Sequence, residues 1–461
     1  MERWKNQEEA LNFALVHPQC MLDMDMGTGK TRVAIDAAFA RDNVRKVLVV
    51  CPKAVVPVWR ENLKKFAPDS GWSCWDLQKG SVKAKAESMA EFLKVRADKM
   101  FVIVNYDSVW RKEMGDLVLK SDFDMVILDE SHRAKAAGSK VSKYLAMLGR
   151  RVWYKMCLSG TPMANSPLDV YGQYRFLDQR IFGTNHYLFL QDYAIMGGPD
   201  RNFVVGYKNQ QDLYKKFNSI AYHCKMSDIA SRIKLPPSLP TTNRRVDIPA
   251  KDRKVMKQLA KEFVAECGDG SHVVVNNVLT KLLRMQQICS GFCIVQESVF
   301  DDGMIQELNT SKEDALSDML TDIDVSDSVV VFCQFRHDLE AIRRATQKTG
   351  RTYFELSGSA NTLSEWKECG GGVIGVQVQA GAEGVDMTKA NHAIYFSVPH
   401  SLALYNQSKA RLYRPGQSRP VSFCHLIAEG TVDESLFKSL ERKEDIIDSI
   451  KAGTFDLGFC H

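Results

Sequence analysis

The sequence predicts an α/β protein with two parallel sheets in tandem, and three observations carry that reading. Short β-rich apolar runs recur in both halves of the chain, each ending in polar or turn residues. Continuous apolar runs of this kind suit strands buried on both faces of a parallel sheet. Between them lie stretches long enough for crossover helices, the alternation of a doubly wound layer. At 461 residues the chain also exceeds one compact domain, so two or three units are expected at roughly 100–200 residues each.

In chain order, Cys20-Met21-Leu22 is an apolar stretch that runs into Gly27-Thr28-Gly29-Lys30-Thr31. A helical pattern follows, with Val33, Ala34, Ala37 and Ala38 on its apolar side. Glycines let backbone N–H groups curl round a phosphate, and the next helix starts with its positive dipole end towards it. Lys30 would reach the β- and γ-phosphates of a nucleotide, and the Thr31 hydroxyl would ligate Mg²⁺. The complete pattern has glycine where Met24 stands, and such a loop also arises by chance.

Val47–Cys51, Phe101–Val104 and Met125–Leu128 are the next strands, with Val82–Val95 one of the crossover helices. Asp129-Glu130-Ser131-His132 follows the last of these strands directly. A carboxylate at a strand's C-terminal end beside a phosphate loop is where a second Mg²⁺ ligand belongs, which assigns Asp129. Glu130 is placed to orient and deprotonate the attacking water. Leu158-Ser159-Gly160-Thr161-Pro162 ends another apolar stretch. It reads as a plain turn, or as one whose Ser159 and Thr161 bond the acidic pair and sense the γ-phosphate.

The second half repeats the style in Val329–Cys333, Val373–Val376 and Ala393–Phe396. Pro236-Pro237-Ser238-Leu239-Pro240 marks the boundary, because clustered prolines break helices and central strands. The expected units are residues 1–235 and 236–461, each with a helical insertion, the second at about 241–300. The middle, 163–328, is less regular. Within it Glu297–Asp327 has ten acidic residues against Lys312 alone, which suggests a solvated loop or surface helix. Gln379–Asp386, with Gly384 and Asp386, follows the strand 373–376. Gln407-Ser408-Lys409-Ala410-Arg411-Leu412-Tyr413-Arg414-Pro415-Gly416-Gln417 comes later. Arg411 and Arg414 are three apart, on one face if the helix continues, as a pair of surface arginines or as guanidiniums for a leaving phosphate.

Composition sets the outer limits. Hydrophobic residues at 45% and charged residues at 25% exclude a disordered chain, a coiled coil and a collagen-like fibre. No run approaches the order of 18 apolar residues of a membrane span. Met1-Glu2-Arg3-Trp4-Lys5 opens no secretory signal. The 12 cysteines include no Cys-x-x-Cys pair, and Cys289 and Cys293 lack a matching His pair. They read as reduced, mostly buried thiols in a cytoplasmic chain. The formal charge is +5, and residues 1–230 hold 34 basic against 26 acidic residues. A mildly basic half suits a phosphate backbone or an ordinary solvated face equally.

Taken together and in this order, the blocks resemble superfamily 2 helicase-type ATPases, and within them the Swi/Snf-like double-stranded DNA translocases. The resemblance rests on Met26–Thr31, Val50-Cys51-Pro52 with Trp59 and Glu61, Asp129–His132 and Leu158–Pro162. Val331–Phe335, Arg411–Gln417 and the signature-like Leu283–Cys289 complete the set. It implies two RecA-like lobes with helical insertions between the motif blocks, and ATP with Mg²⁺ in the cleft between the lobes. It implies that Gln7 reads adenine and that Gly27, Thr28, Gly29, Lys30 and Thr31 cradle the phosphates. Gly384 and Asp386 would face the nucleotide, and Ser159, Thr161 and Gln407 would couple it to the track. Arg411 and Arg414 would act with Glu130 in hydrolysis. The implied partner is duplex DNA gripped through its phosphates, with single-stranded nucleic acid as a further candidate and no membrane. A strand-separating helicase and a nucleotide-gated binding module are the alternatives. The departures are Asn6 before Gln7, Trp366 where the family has an arginine, and Asp386 where Asn is common. No targeting domain accompanies the motifs, so the expected protein is close to a bare motor.

Overall fold

The computed structural model describes residues 2–68, 71–76, 80–95, 97–163, 166–197, 203–231, 233–258, 275–295, 304–381 and 385–442. Two compact units divide between Lys234 and Leu235. In the first, the strands are β1 (Gln19–Met24), β2 (Lys46–Cys51), β3 (Trp72–Trp75), β4 (Lys99–Asn105), β5 (Met125–Asp129) and β6 (Tyr154–Ser159). A hairpin, β7 (Ala194–Gly197) and β8 (Phe203–Tyr207), and a last strand, β9 (Ala221–Cys224), follow. The main sheet runs β3-β4-β2-β5-β6-β1-β9, and every neighbouring pair is parallel.

Apolar runs rather than alternation are what this sheet needs, because both faces are covered. Along β2, Val47 and Val49 enter the core that holds Ala34, Ala37 and Trp59. Leu48 and Val50 enter the opposite core, with Val102, Leu128 and Tyr171. From β1 the chain crosses β6 and β5 to reach β2. The crevice at such a crossing, outside the carboxyl ends of the strands, is where open α/β sheets bind ligands. The neighbours β5, β6 and β1 thus present Asp129–His132, Ser159–Pro162 and Asp25–Thr31 at the same end of the sheet.

The second unit contains β10 (Thr242–Val246), a hairpin of β11 (Phe292–Val295) and β12 (Met304–Glu307), β13 (Ser328–Cys333), β14 (Tyr353–Leu356), β15 (Gly372–Gln377), β16 (His392–Tyr395) and β17 (Ser422–Ala428). Its sheet, β10-β17-β16-β13-β15-β14, is also wholly parallel. The proline segment docks on this unit, where the Leu239 N–H donates to the Val421 carbonyl at 2.9 Å. Residues 242–246, expected inside a helical insertion, instead form the edge strand β10, whose pairing with β17 satisfies their backbone. The rest of that insertion includes the helix Val275–Cys289, while 259–274 and 296–303 lie outside the described residues.

Part of the acidic stretch is a surface helix, one of its two expected forms. Ser311–Asp322 is a helix with one face fully packed, where Leu316 and Leu320 meet Ile342 and Ala345. Lys312 is 1% exposed and pairs with buried Asp433 at 2.6 Å. Inside the unit the buried charges are paired: Lys312 meets Asp433, and the buried Glu313 meets Arg344 and Lys348 at 2.8 and 2.9 Å. Among the described residues no helix is long and apolar enough to cross a membrane.

Candidate active site

The phosphate loop begins where β1 ends. Met24, in the place of the expected glycine, is the last residue of β1 and fully buried, so the tight turn starts after it. Gly27 and Gly29 have φ of +80° and +99°. At Gly29 the left-handed backbone calls for glycine, and a Cβ there would lie 2.2 Å from Gln7 Nε2 and displace that amide. Lys30, Thr31 and the helix Lys30–Phe39 follow directly.

Lys30 is buried, and its Nζ donates to the Met24 carbonyl at 2.5 Å and the Asp25 carbonyl at 3.1 Å. Burial pushes its ammonium below the usual lysine range, and the charges of Glu130 and Asp129 oppose that shift. The Thr28 hydroxyl donates to the Asp25 carbonyl at 2.7 Å. Asn6 Nδ2 and Gln7 Nε2 both reach the Thr28 carbonyl, at 3.1 and 3.5 Å. Gln7 Oε1 also accepts the Trp4 N–H at 3.1 Å. The unexpected Asn6 is thus a second amide holding the loop.

Asp129 ends β5 almost fully buried. Its Oδ2 accepts from Trp59 Nε1 at 2.8 Å, and its carbonyl accepts from the Tyr106 hydroxyl at 2.9 Å. Burial first, then the neighbouring Glu130, pushes its carboxyl up to about 6, while Trp59 and Lys30 pull it back. Glu130 has φ +52° and ψ +51°, left-handed backbone for a side chain with a Cβ, which turns the chain sharply out of the sheet. Its Oε2 lies 3.3 Å from His132 Nδ1.

Ser159 and Thr161 do not bond the acidic pair. Ser159 Oγ lies 3.3 Å from His132 Nδ1 and accepts from the Thr161 N–H at 3.1 Å, so the link runs through the histidine of the same motif. Register explains this: Asp129 is level with Leu158, which puts Ser159 one residue beyond the carboxylate. Trp59, Tyr106 and Gln173 form the surrounding shell. Trp59 belongs to a motif block without an expected role, while Tyr106 and Gln173 carry no sequence signal of their own.

In the second unit, Gln407 and Arg411 are buried on the helix Leu402–Leu412. That helix stops before Arg414, because Tyr413 leaves the helical region at ψ +83°. Arg411 and Arg414 therefore do not share a helix face, contrary to the spacing argument. The Val385–Met387 segment brings them together instead. The Arg411 carbonyl accepts from the Met387 N–H at 3.1 Å, and Arg414 Nη1 reaches the Val385 carbonyl at 3.5 Å. Burial raises the Asp386 carboxyl, but the Thr388 N–H and hydroxyl and the Arg414 charge outweigh it and hold it below its ordinary value. Gly384 lies outside the described residues. Trp366 is fully buried and its Nε1 donates to the Gly372 carbonyl at 3.4 Å, so it is a core residue. Gln286, in the Leu283–Cys289 block, donates to the Val398 carbonyl at 2.6 Å.

The donor set of the first unit fits a cation shared with a triphosphate. Among the described residues no group of three or more ligating side chains occurs, so protein alone builds no closed metal cage. One carboxylate and one hydroxyl, Asp129 and Thr31, suit a magnesium ion that takes its other ligands from phosphate and water.

The chain is similar to known proteins along most of its length. The SNF2-related domain model matches residues 6–292, and the helicase conserved C-terminal domain model matches 311–416. The chain is 23% identical over 470 residues to the DNA annealing helicase and endonuclease ZRANB3 of Bos taurus, covering 97% of this chain and 40% of that protein. It is 21% identical to the DNA repair and recombination protein RAD54-like of Drosophila yakuba, covering 94% and 60%. Among solved structures, the Sulfolobus solfataricus SWI2/SNF2 ATPase core in complex with dsDNA is 20% identical with a TM-score of 0.45, covering 98% and 93%. The chain therefore spans only about two fifths of the ZRANB3 proteins it matches. With the first model covering well over half its length and the second following in order, the chain belongs to the SNF2-related domain family.

Proposed function

We propose that the chain hydrolyses ATP and uses the energy to move along duplex DNA. The observation that carries this reading is the meeting of phosphate loop, acidic pair and Ser159–Pro162 turn at the ends of three neighbouring strands, in an SNF2-related chain. Lys30 and the loop N–H groups bind the β- and γ-phosphates, and Glu130 takes the proton of the attacking water. Thr31 and Asp129 would hold Mg²⁺, which would supply neutralisation of phosphate charge. Gln7 is assigned to the base and Asp386 to the nucleotide. Arg411 and Arg414 stabilise charge on the departing phosphate, and Gln407, Ser159 and Thr161 couple hydrolysis to the track.

Duplex DNA as the track is supported by the family and by relatives named for DNA annealing, repair and recombination. A strand-separating helicase is the second reading, favoured by the helicase C-terminal match at 311–416. ATPase rates with duplex DNA, single-stranded DNA and RNA as separate stimulants test the proposal, together with triplex displacement and fork unwinding. Strongest stimulation by duplex, with triplex displacement and an intact fork, is expected. Fork unwinding without triplex displacement selects the helicase instead.

A further inference from the structure

We infer that Gln173 is a positioning residue that holds the acidic strand end and the Ser159–Pro162 turn as one body during hydrolysis. The inference deepens the ATPase reading above and rests on it. Gln173 lies on the helix Val170–Leu177 and is fully buried. Its Oε1 accepts from the Ser131 hydroxyl at 2.7 Å. Its Nε2 donates to the Pro162 carbonyl at 2.7 Å and to the Asp169 carbonyl at 3.1 Å. One amide thus has its acceptor end on the acidic motif and its donor end on the neighbouring turn.

Each end constrains a residue next to the chemistry. Ser131 directly follows Glu130, whose left-handed backbone persists only where neighbouring bonds over-determine it. Pro162 directly follows Thr161, whose Oγ1 is buried with no partner among the described residues. The helix carrying Gln173 is pressed against the same motif, because a Cβ at the adjacent Gly172 would lie 2.2 Å from the Ala134 carbonyl. Two short hydrogen bonds on a rigid planar group leave little slack. A shift of the turn by the better part of an ångström either breaks the Pro162 bond or drags Ser131, and Glu130 with it. Any rearrangement that gives Thr161 a partner is therefore felt at the catalytic carboxylate.

The test compares Gln173→Met, which keeps the volume and removes all three hydrogen bonds, with Ser131→Ala, which removes one. Steady-state ATPase with saturating duplex DNA gives kcat and KM, and a fluorescent ATP analogue gives nucleotide affinity without DNA. In Gln173→Met, kcat should fall about five- to tenfold, the range expected for a coupling network, with KM and nucleotide affinity within about twofold. Ser131→Ala should fall in the same direction, and the double variant should be no worse than Gln173→Met alone. Gln173→Glu keeps only the acceptor end and should not rescue. Unchanged kcat in both single variants, or additive losses in the double, overturns the inference. Should Gln173→Met fail to fold, Ser131→Ala decides the matter in the same way.

Absence of any ATPase in the unaltered protein would instead count against the function proposed above. Hydrogen exchange then tests the linkage by itself. Amides of 129–132 and 159–161 that loosen together in Ser131→Ala support it, and loosening confined to the first segment overturns it.

Discussion

Lys30 and Glu130 sit within one electrostatic cluster but fail in different ways when changed. Lys30→Ala removes a charge-assisted donor whose bonds to anionic oxygen are worth about 1.5–3 kcal/mol, so nucleotide affinity should drop about 10- to 150-fold and turnover should stop. Glu130→Gln keeps the size and left-handed turn of the residue but cannot take a proton. Nucleotide binding should persist while kcat falls about 10²–10⁴-fold, as measured by equilibrium binding beside single-turnover hydrolysis. Near-normal hydrolysis by Glu130→Gln would remove the catalytic assignment.

Asp338 is a residue-scale case outside the site. Burial pushes its carboxyl up to about 6, partly offset by hydrogen bonds from Ser397 and the Phe335 N–H and by the charge of Lys312. The folded state then holds the proton more tightly than the unfolded one. That contribution to stability is complete at low pH and is lost as pH rises towards 6. It amounts to about 3 kcal/mol. Asp338→Asn should gain on the unaltered protein in urea midpoint as pH climbs from 4 to 7. A pH-independent difference would contradict the burial argument.

The elements that position these residues are strand ends and the helices pressed on them. In the second unit, the helix Ser311–Asp322 is fixed by Lys312, which donates to the Phe396 carbonyl at 3.0 Å as well as to Asp433. Asp433 in turn accepts from the Ala428 N–H at 3.3 Å, so one pair ties that helix to the ends of β16 and β17. Removing one partner of a buried pair leaves an uncompensated charge. Lys312→Met should therefore cost about 3–5 kcal/mol, read from denaturant unfolding. Adding Asp433→Asn should recover part of the loss. A Lys312→Met variant as stable as the unaltered protein would show that the pair contributes nothing.

For the whole molecule, the decisive residues lie in different units, Lys30 in one and Arg411 and Arg414 in the other. If the proposed motor is correct, Arg411→Ala and Arg414→Ala should leave ATP binding nearly intact while cutting DNA-stimulated hydrolysis by about 10³-fold or more. Lysine at either position keeps charge but loses the planar fork, so it should not restore the rate. Because Arg414 leaves the chain beyond the helix end, the two losses need not be equal. Full DNA-stimulated turnover in both alanine variants would sink the two-unit mechanism.

What the sequence determined by itself is the part whose physics is local. Four or five largely apolar residues in a row announce a strand covered on both faces, and β2, β4, β5, β13 and β15 appear where such runs stand. Glycine–lysine–threonine after a strand and acids at a strand end are likewise short-range patterns, because a turn and a strand terminus are each made by a few consecutive residues. Tertiary structure decided the rest. Trp59 meets Asp129 across 70 residues, Gln173 meets Ser131 across 42, and Lys312 meets Asp433 across 121. It also decided that Asn6 holds the phosphate loop, that Trp366 belongs to the core, and that the arginine helix ends before Arg414. A hydrogen bond between distant segments leaves no periodicity or spacing in the chain. It exists only once the sheet order has set which strand ends are neighbours.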